Sequence, residues 1–327
     1  MPKRSMKAIV YHNSGPRDVL RCEEIERPTA GVGEVLIKVR AAAVNPLDAH
    51  LLKHRLIRRF MFATGKQKPA RPGRDVSGEV EAVGAGVTRF KPGDAVLGLC
   101  GGAFAEYACA KESALVAKPD GVTFEQAAAM PLAGLTALQG LRDKGHLRAA
   151  QKVLINGAAG GVGTFAVQVA KSFGADVTGV CSTRNVQMVR AIGADHVIDY
   201  TQEDFTKSGQ RYDLIFDLVS NHSLLACKRV LNRKGIYIMA GMIGLGESMI
   251  GLLTHLTTTL VLPRFVSQSF VTFMARINQA DLTIMRELMA TGKVTSVIDR
   301  RYSLSEVPEA IRYLAEGHAQ GKVAITV

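Results

Sequence analysis

Val153-Leu154-Ile155-Asn156-Gly157-Ala158-Ala159-Gly160-Gly161-Val162-Gly163 runs directly into Thr164-Phe165-Ala166-Val167-Gln168-Val169-Ala170-Lys171, and this stretch decides the fold. Its first three residues are an apolar run short enough for a parallel strand covered on both faces. After the glycines the period changes, because Val162, Phe165, Ala166, Val169 and Ala170 recur at helical spacing. Gly157, Gly160 and Gly163 are three apart. A dinucleotide turn needs small residues there for a tight bend, for backbone approach to a pyrophosphate and for close packing of helix on strand. The helix start adds free N–H groups and a positive dipole end, both suited to phosphate. Glycine turns are common, so the strand before and the helix after carry the assignment. Gly157, Ala159, Gly160, Gly161, Val162 and Gly163 are therefore candidate cofactor contacts, with a plain glycine turn in an α/β domain as the alternative.

The end of the next strand, Asp176-Val177-Thr178-Gly179-Val180-Cys181, indicates which nucleotide. An NAD site places Asp or Glu there to hold the ribose 2′-OH. Here the strand runs out into Ser182-Thr183-Arg184-Asn185, with no carboxylate. Ser182 and Thr183 offer hydroxyls, and Arg184 offers a guanidinium fork that suits phosphate. The set predicts a 2′-phosphate, so NADPH is preferred over NADH. Arg184 capping a solvated helix start is the competing explanation.

At 327 residues the chain exceeds what one compact core usually holds, which predicts two domains. A hydrophobic fraction of 47% and a charged fraction of 21% suit a soluble globular protein. The net charge of +12 is uneven. Lys53, Arg55, Arg58, Arg59, Lys66, Lys68, Arg71 and Arg74 follow one another without an acid among them. Such a run could hold an acidic membrane surface weakly, meet the phosphates of NADPH, or simply be a solvated loop. No aromatic interleaving accompanies it, which argues against nucleic acid. The five cysteines form no C-x-x-C pair and are odd in number, against a disulfide framework or a structural zinc lobe. They suit a reducing cytosol, and no secretory apolar core follows Met1-Pro2-Lys3-Arg4-Ser5, so a cytoplasmic protein is expected.

Short strands with Gly and Pro turns fill the N-terminal part: 7–11, 34–44, 78–84, 90–98, 104–108 and 114–119. They predict a small barrel-like β domain. Residues 124–145 read as helix interrupted by Pro131. From Lys152 strands and helices alternate through residue 240, the mark of a doubly wound parallel sheet. Residues 242–275 are hard to assign: 249–262 is strongly apolar, yet neither long nor clean enough to span a bilayer. A pocket lid or a dimer contact is expected there. An amphipathic helix at 281–289 and short strands at 294–302 and 322–327 complete the chain.

Several stretches together resemble one family. They are Val44-Asn45-Pro46-Leu47-Asp48, Pro72-Gly73-Arg74-Asp75-Val76-Ser77-Gly78-Glu79-Val80, residues 87–96, Ala103-Phe104-Ala105-Glu106-Tyr107, the glycine turn, Gly193-Ala194-Asp195-His196-Val197-Ile198-Asp199-Tyr200 and Gly321-Lys322-Val323. Nearly end to end, the chain is similar to the medium-chain dehydrogenase/reductase superfamily, in particular its zinc-free quinone oxidoreductase and enone reductase branch. The resemblance implies an α/β fold: a GroES-like β-rich domain formed by 1–123 and 271–327 around an inserted Rossmann domain, 124–270. It also implies a cleft between them and a homodimer joined through the Rossmann sheets.

Zinc alcohol dehydrogenases of the superfamily place Cys within the stretch matched by Val44 to Asp48, and Gly-His-Glu where this chain has Gly73-Arg74-Asp75. Arginine cannot ligate a metal, and a catalytic zinc needs three Cys, His or carboxylate ligands. No metal site is expected. Without a Lewis acid, alkoxide formation from an alcohol is hard to drive, which favours a quinone or α,β-unsaturated carbonyl as small-molecule substrate. An NAD(P)-dependent alcohol dehydrogenase and a non-catalytic NADPH-binding protein are the competing readings.

Residue roles follow from the same resemblance. Asn45 and Asp48 match the active-site loop, where an amide could donate to a developing oxyanion; an Asx-type turn with Pro46 is the alternative. Thr136 matches a position beside the nicotinamide, Tyr200 one near the adenosine phosphate and Lys322 a basic residue near the cofactor's phosphates. Val219, Ala240 and Met242 would line the nicotinamide edge, beyond the carboxyl ends of their strands. His50 stands where some quinone reductases carry tyrosine and is a candidate proton donor by its ordinary pKa, as is water.

Overall fold

A computed structural model describes residues 5–12, 19–53, 71–240 and 267–327, the side chains of residues 50–53 excepted. Residues 54–70 of the basic run, Met242 and most of 242–275 lie outside the described residues, as does the His50 side chain. The chain forms two compact units. One comprises Met1–Leu132, Ile277–Gly292 and Ser296–Val327, the other Ala133–Arg276 and Lys293–Thr295.

The first unit is β-rich. A hairpin joins β1 (Ser5–His12) to β2 (Val19–Glu26), a strand the periodicity did not reveal. Its sequence, Val19-Leu20-Arg21-Cys22-Glu23-Glu24-Ile25-Glu26, has only a broken alternation of apolar residues. The seven-stranded sheet is built on β3 (Glu34–Val44), whose Val35, Ile37 and Val39 turn inward. After it come the helix α1 (Pro46–Lys53), β4 (Asp75–Val83), β5 (Ala95–Leu99), β6 (Tyr107–Lys111) and β7 (Leu115–Ala117). Its core gathers Ile9, Val35, Ile37, Val80, Val96, Phe104, Leu115 and Ile325, among others.

Pro131 divides the predicted helical run into α2 (Phe124–Ala129) and α3 (Pro131–Gln139). A proline at the first helical position lacks only an N–H that would have no intrahelical partner. Thr123 and Gln126 close a capping box on α2.

The second unit is a six-stranded parallel sheet ordered β10-β9-β8-β11-β12-β13. Its elements are β8 (Lys152–Asn156), α4 (Gly161–Ser172), β9 (Asp176–Cys181), α5 (Val186–Ala191), β10 (His196–Asp199), β11 (Tyr212–Asp217), α6 (Leu224–Arg229), β12 (Leu231–Ala240) and β13 (Ser269–Phe273). Val153, Leu154 and Ile155 are fully buried, as an apolar run covered on both faces should be. The order reverses between β8 and β11, which makes that point the ligand-binding end of such a sheet.

The chain then returns to the first unit through α7 (Gln279–Ala290), β14 (Ile298–Ser303), α8 (Val307–Ala315) and β15 (Lys322–Thr326). β15 inserts between β14 and β3, pairing antiparallel with β3. The architecture is α/β, a Rossmann-type sheet with a separate GroES-like β-rich unit. No helix among the described residues is long and apolar enough to cross a membrane.

Candidate functional site

Antiparallel pairing determines which residues meet in the first unit. Ala43 of β3 lies opposite Asp75, the first residue of β4, and Val44 lies opposite Val323 of β15. The end of β3 therefore sits beside the starts of two neighbouring strands, and Asn45, Asp75 and Lys322 converge there. Lys322 Nζ donates to Asn45 Oδ1 at 2.7 Å and to Asp75 Oδ2 at 3.1 Å. Asn45 Nδ2 donates to Asp75 Oδ2 at 3.0 Å and reaches the Ala43 carbonyl at 3.4 Å. The other Asp75 oxygen accepts the Leu132 N–H at 3.0 Å, at the start of α3. A carboxylate is favoured at that end of a helix.

Asp48 closes the loop. Asn45 precedes α1 and Asp48 lies in its first turn; the Asp48 carboxylate accepts the Asn45 N–H at 2.9 Å while its own N–H donates to the Asn45 carbonyl. This is the reaching-back half of a capping box. Burial pushes the Asp48 carboxyl up to about 6, aided by the Asp75 charge and opposed by the Asn45 N–H and by Lys322.

Two expectations change here. Lys322, expected at the cofactor's phosphates, is only 3% exposed, and its ammonium lies on Asn45 and Asp75. The Asn45 amide, expected to face an oxyanion, directs its hydrogens at Asp75 and Ala43. Both residues hold a buried polar cluster together, because a buried ammonium and carboxylate need every partner within reach.

In the second unit the parallel strands bring their carboxyl ends to one edge. Gly157 takes a left-handed φ of +85°, which glycine adopts without strain. A Cβ on Gly163 would lie 2.0 Å from the Gly157 carbonyl oxygen, so only glycine lets α4 pack on the turn. A Cβ on Gly160 would meet only that same oxygen, at 3.4 Å. Gly160 is the N-cap of α4 and has no side chain to satisfy the first turn. Open space before uncapped helical N–H groups fits a pyrophosphate.

Across the reversal point Asn156 Nδ2 donates to Asp217 Oδ1 at 2.9 Å and to Asn221 Oδ1 at 3.0 Å. Asp217 also accepts the Val219 and Ser220 N–H groups and, on its other oxygen, the Tyr237 hydroxyl at 2.6 Å. Burial pushes that hydroxyl's pKa up. Val219 thus stands exposed on a loop pinned from beneath, and Ala240 is buried at the end of β12.

At the ends of β9 and β10 the structure gathers Ser182, Thr183, Arg184, Asn185 and Tyr200. Asn185 Nδ2 donates to Ser182 Oγ at 3.1 Å, while its buried Oδ1 has no partner among the described residues and could accept from a ribose or adenine. Arg184 and Tyr200 are exposed, and the Tyr200 N–H donates to the Cys181 carbonyl. Thr136 lies half-buried in α3. Asp75, Asn156, Asp199, Asp217 and Tyr237, which hydrogen-bond within these clusters, were not singled out in the sequence as candidate site residues. A polar residue ending a buried apolar run, as Asn156 and Asp217 do, was the available signal.

All five cysteines are free. Among the described residues no group of three or more His, Cys, Asp or Glu side chains could hold a metal ion.

Residues 31–120 match the alcohol dehydrogenase GroES-like domain family, and residues 192–325 match the zinc-binding dehydrogenase family. A chloroplastic quinone oxidoreductase of Triphysaria versicolor is 34% identical over 99% of both chains. A chloroplastic NADPH-dependent alkenal/one oxidoreductase of Arabidopsis thaliana is 34% identical over 98% of this chain and 80% of its own. The solved quinone oxidoreductase of Coxiella burnetii superposes with a TM-score of 0.85 at 30% identity, over 99% of this chain and 100% of that one. The expectation of a cytoplasmic protein does not stand, since both plant relatives are chloroplastic.

Proposed function

Since the chain belongs to the medium-chain dehydrogenase/reductase superfamily, in its quinone oxidoreductase and enone reductase branch, we propose that it is a metal-independent reductase preferring NADPH. It is an oxidoreductase that takes a nicotinamide cofactor. The observation carrying the proposal is the turn between β8 and α4, where glycine alone fits at 163 and the helix start is left uncapped. Gly160 to Gly163 would receive the pyrophosphate, and Ser182, Arg184, Asn185 and Tyr200 the adenosine end with its 2′-phosphate. Thr136, Val219, Ala240 and Met242 would meet the nicotinamide end.

When bound, the nicotinamide supplies a hydride to an electron-poor quinone or enone carbon. The chain's own contribution is placement. Asp217 holds the Val219–Ser220 backbone by two N–H bonds, so the loop presenting Val219 keeps one shape. Asn45, Asp48, Asp75 and Lys322 hold the loop that leads into α1, which carries His50. Metal independence is supported by residue type: the amide of Asn45, the guanidinium of Arg74 and the ammonium of Lys322 are not zinc ligands, and the two carboxylates of that neighbourhood, Asp48 and Asp75, fall short of three ligands, with Asp75 already held by Lys322. A homodimer is supported by β13, the outermost strand of its sheet among the described residues; an open strand edge invites pairing with a second copy.

The test is NADPH oxidation with a panel of quinones, enones and alcohol/aldehyde pairs, with and without chelator. Chelator-resistant turnover of quinones or enones is expected. NADPH binding without turnover on any of them would favour a non-catalytic protein, and zinc-dependent alcohol oxidation would favour the dehydrogenase.

A further inference from the structure

At the site expected to take the 2′-phosphate, the neighbouring strand supplies a carboxylate. β9 and β10 run parallel with Asp199 opposite Cys181, so Asp199 emerges beside Ser182, Thr183 and Arg184. It is tied firmly there. Thr183 Oγ1 donates to Asp199 Oδ2 at 2.6 Å, and Thr201 gives Asp199 Oδ1 its N–H at 3.0 Å and its hydroxyl at 2.8 Å. The two threonine hydroxyl oxygens are themselves 2.8 Å apart.

A threonine hydroxyl has one proton. That of Thr183 is directed at Asp199 or at Thr201, and in either arrangement the hydroxyl turns lone pairs, not its proton, to an incoming phosphate. These hydrogen bonds, that of Thr183 foremost, hold the Asp199 carboxyl below the ordinary carboxylate range, and it stays ionised through neutral pH. A 2′-phosphate at this strand end would therefore meet attraction from Arg184 and repulsion from Asp199, whereas a ribose 2′-OH would find an acceptor.

We propose, resting on the NADPH reading above, that Asp199 is a specificity-determining residue: a fixed negative charge that narrows the margin between NADPH and NADH. Thr183 and Thr201 position it. The charge lies at a solvated strand end, so its effect is moderate, roughly three- to tenfold in affinity, and is weakened by salt.

The experiment is titration of the apoprotein with NADPH and with NADH, followed by cofactor fluorescence, for wild type, Asp199→Asn and Thr183→Val. Asp199→Asn keeps the size and removes the charge. It should raise the ratio Kd(NADH)/Kd(NADPH) about three- to tenfold, chiefly through tighter NADPH, with the gain shrinking as salt is added. Thr183→Val keeps the charge and should give no such rise. If both variants raise the ratio equally, the local geometry rather than the charge decides, and the proposal falls. An unchanged or lower ratio in Asp199→Asn also overturns it, while a wild type that still prefers NADPH leaves the cofactor reading intact. A wild type indifferent to the two cofactors, shifted towards NADPH by Asp199→Asn, would sink the reading based on Ser182 and Arg184 and uphold the role of Asp199. Asp199→Ser, measured the same way, replaces the amide variant should that one misfold.

Discussion

Lys322 Nζ lies 3.1 Å from Asp75 Oδ2, with the lysine side chain 3% exposed and the aspartate fully buried. The pair comes from residues far apart in sequence, brought together by the pairing of β15 and β4 with the two edges of β3. Removing one partner of such a pair leaves a buried charge without compensation, which costs about 3–5 kcal/mol. Lys322→Met should lose stability of that order in urea denaturation. The double variant Lys322→Met/Asp75→Asn should recover part of it, because the stranded charge is gone. A single variant within 1 kcal/mol of wild type, roughly the worth of an exposed pair, would show that the pair is not isolated from solvent.

Asp48 gives the stability a pH dependence of definite sign. Burial raises its folded pKa from 3.8 to about 6, so the fold favours the protonated carboxyl. Its contribution to stability is fully present below about pH 4 and is lost as pH rises through about 6, amounting to about 3 kcal/mol. Asp48→Asn cannot titrate. The stability of wild type minus that of Asp48→Asn should therefore fall between pH 4 and pH 7 by about that amount, measured by denaturation at each pH. A difference independent of pH would mean that Asp48 does not change protonation across this range.

Two glycines of the turn, Gly163 and Gly160, should separate folding from binding. A methyl at Gly163 would meet the Gly157 carbonyl oxygen at 2.0 Å. Gly163→Ala should lose about 1–3 kcal/mol through overpacking and weaken nucleotide binding with it. A methyl at Gly160 meets nothing closer than 3.4 Å. Gly160→Ala should stay as stable as wild type yet bind nucleotide about tenfold less tightly or worse, since the methyl takes space a phosphate would use. Equal affinities in Gly160→Ala and wild type would remove the pyrophosphate from this turn.

Arg184 is the cation expected to recognise the 2′-phosphate. Arg184→Asp should raise KM for NADPH about tenfold or more, the worth of a lost bond to a charged group, and leave KM for NADH nearly unchanged. Equal effects on the two cofactors would argue for a role in folding instead.

Much of the second unit was legible because buried parallel strands are short apolar runs and the turn between β8 and α4 has a demanding geometry. Leu154 and Phe165 announce themselves in this way. β2 and β13 were not legible: Glu23-Glu24 breaks the alternation of one, and the other is only five residues long and follows a strongly apolar sequence with no strand signal of its own. In the first unit Asn45 and Asp48 were named, but their partners were not. Asp75 and Lys322 are separated from Asn45 by 30 and 277 residues, and only strand register brings such residues together. Lys322 was named only for the cofactor's phosphates, since a lysine in sequence carries no sign of its own burial or of its bonds to Asn45 and Asp75.

The strand that supplies Lys322 lies inside its sheet, flanked by β14 and β3, although its residues are made last among those of that sheet. β3 to β7 are synthesised by residue 117, some 200 residues earlier, or roughly 10–40 s at ordinary synthesis rates. Throughout that interval β3 lacks a neighbour and Asp75 lacks its cation. The described strands of the parallel sheet are all made by residue 273, well before then. In a nascent chain the nucleotide-binding unit can therefore mature first, while the β-rich unit waits with an unsealed seam for a chaperone, or for its own tail.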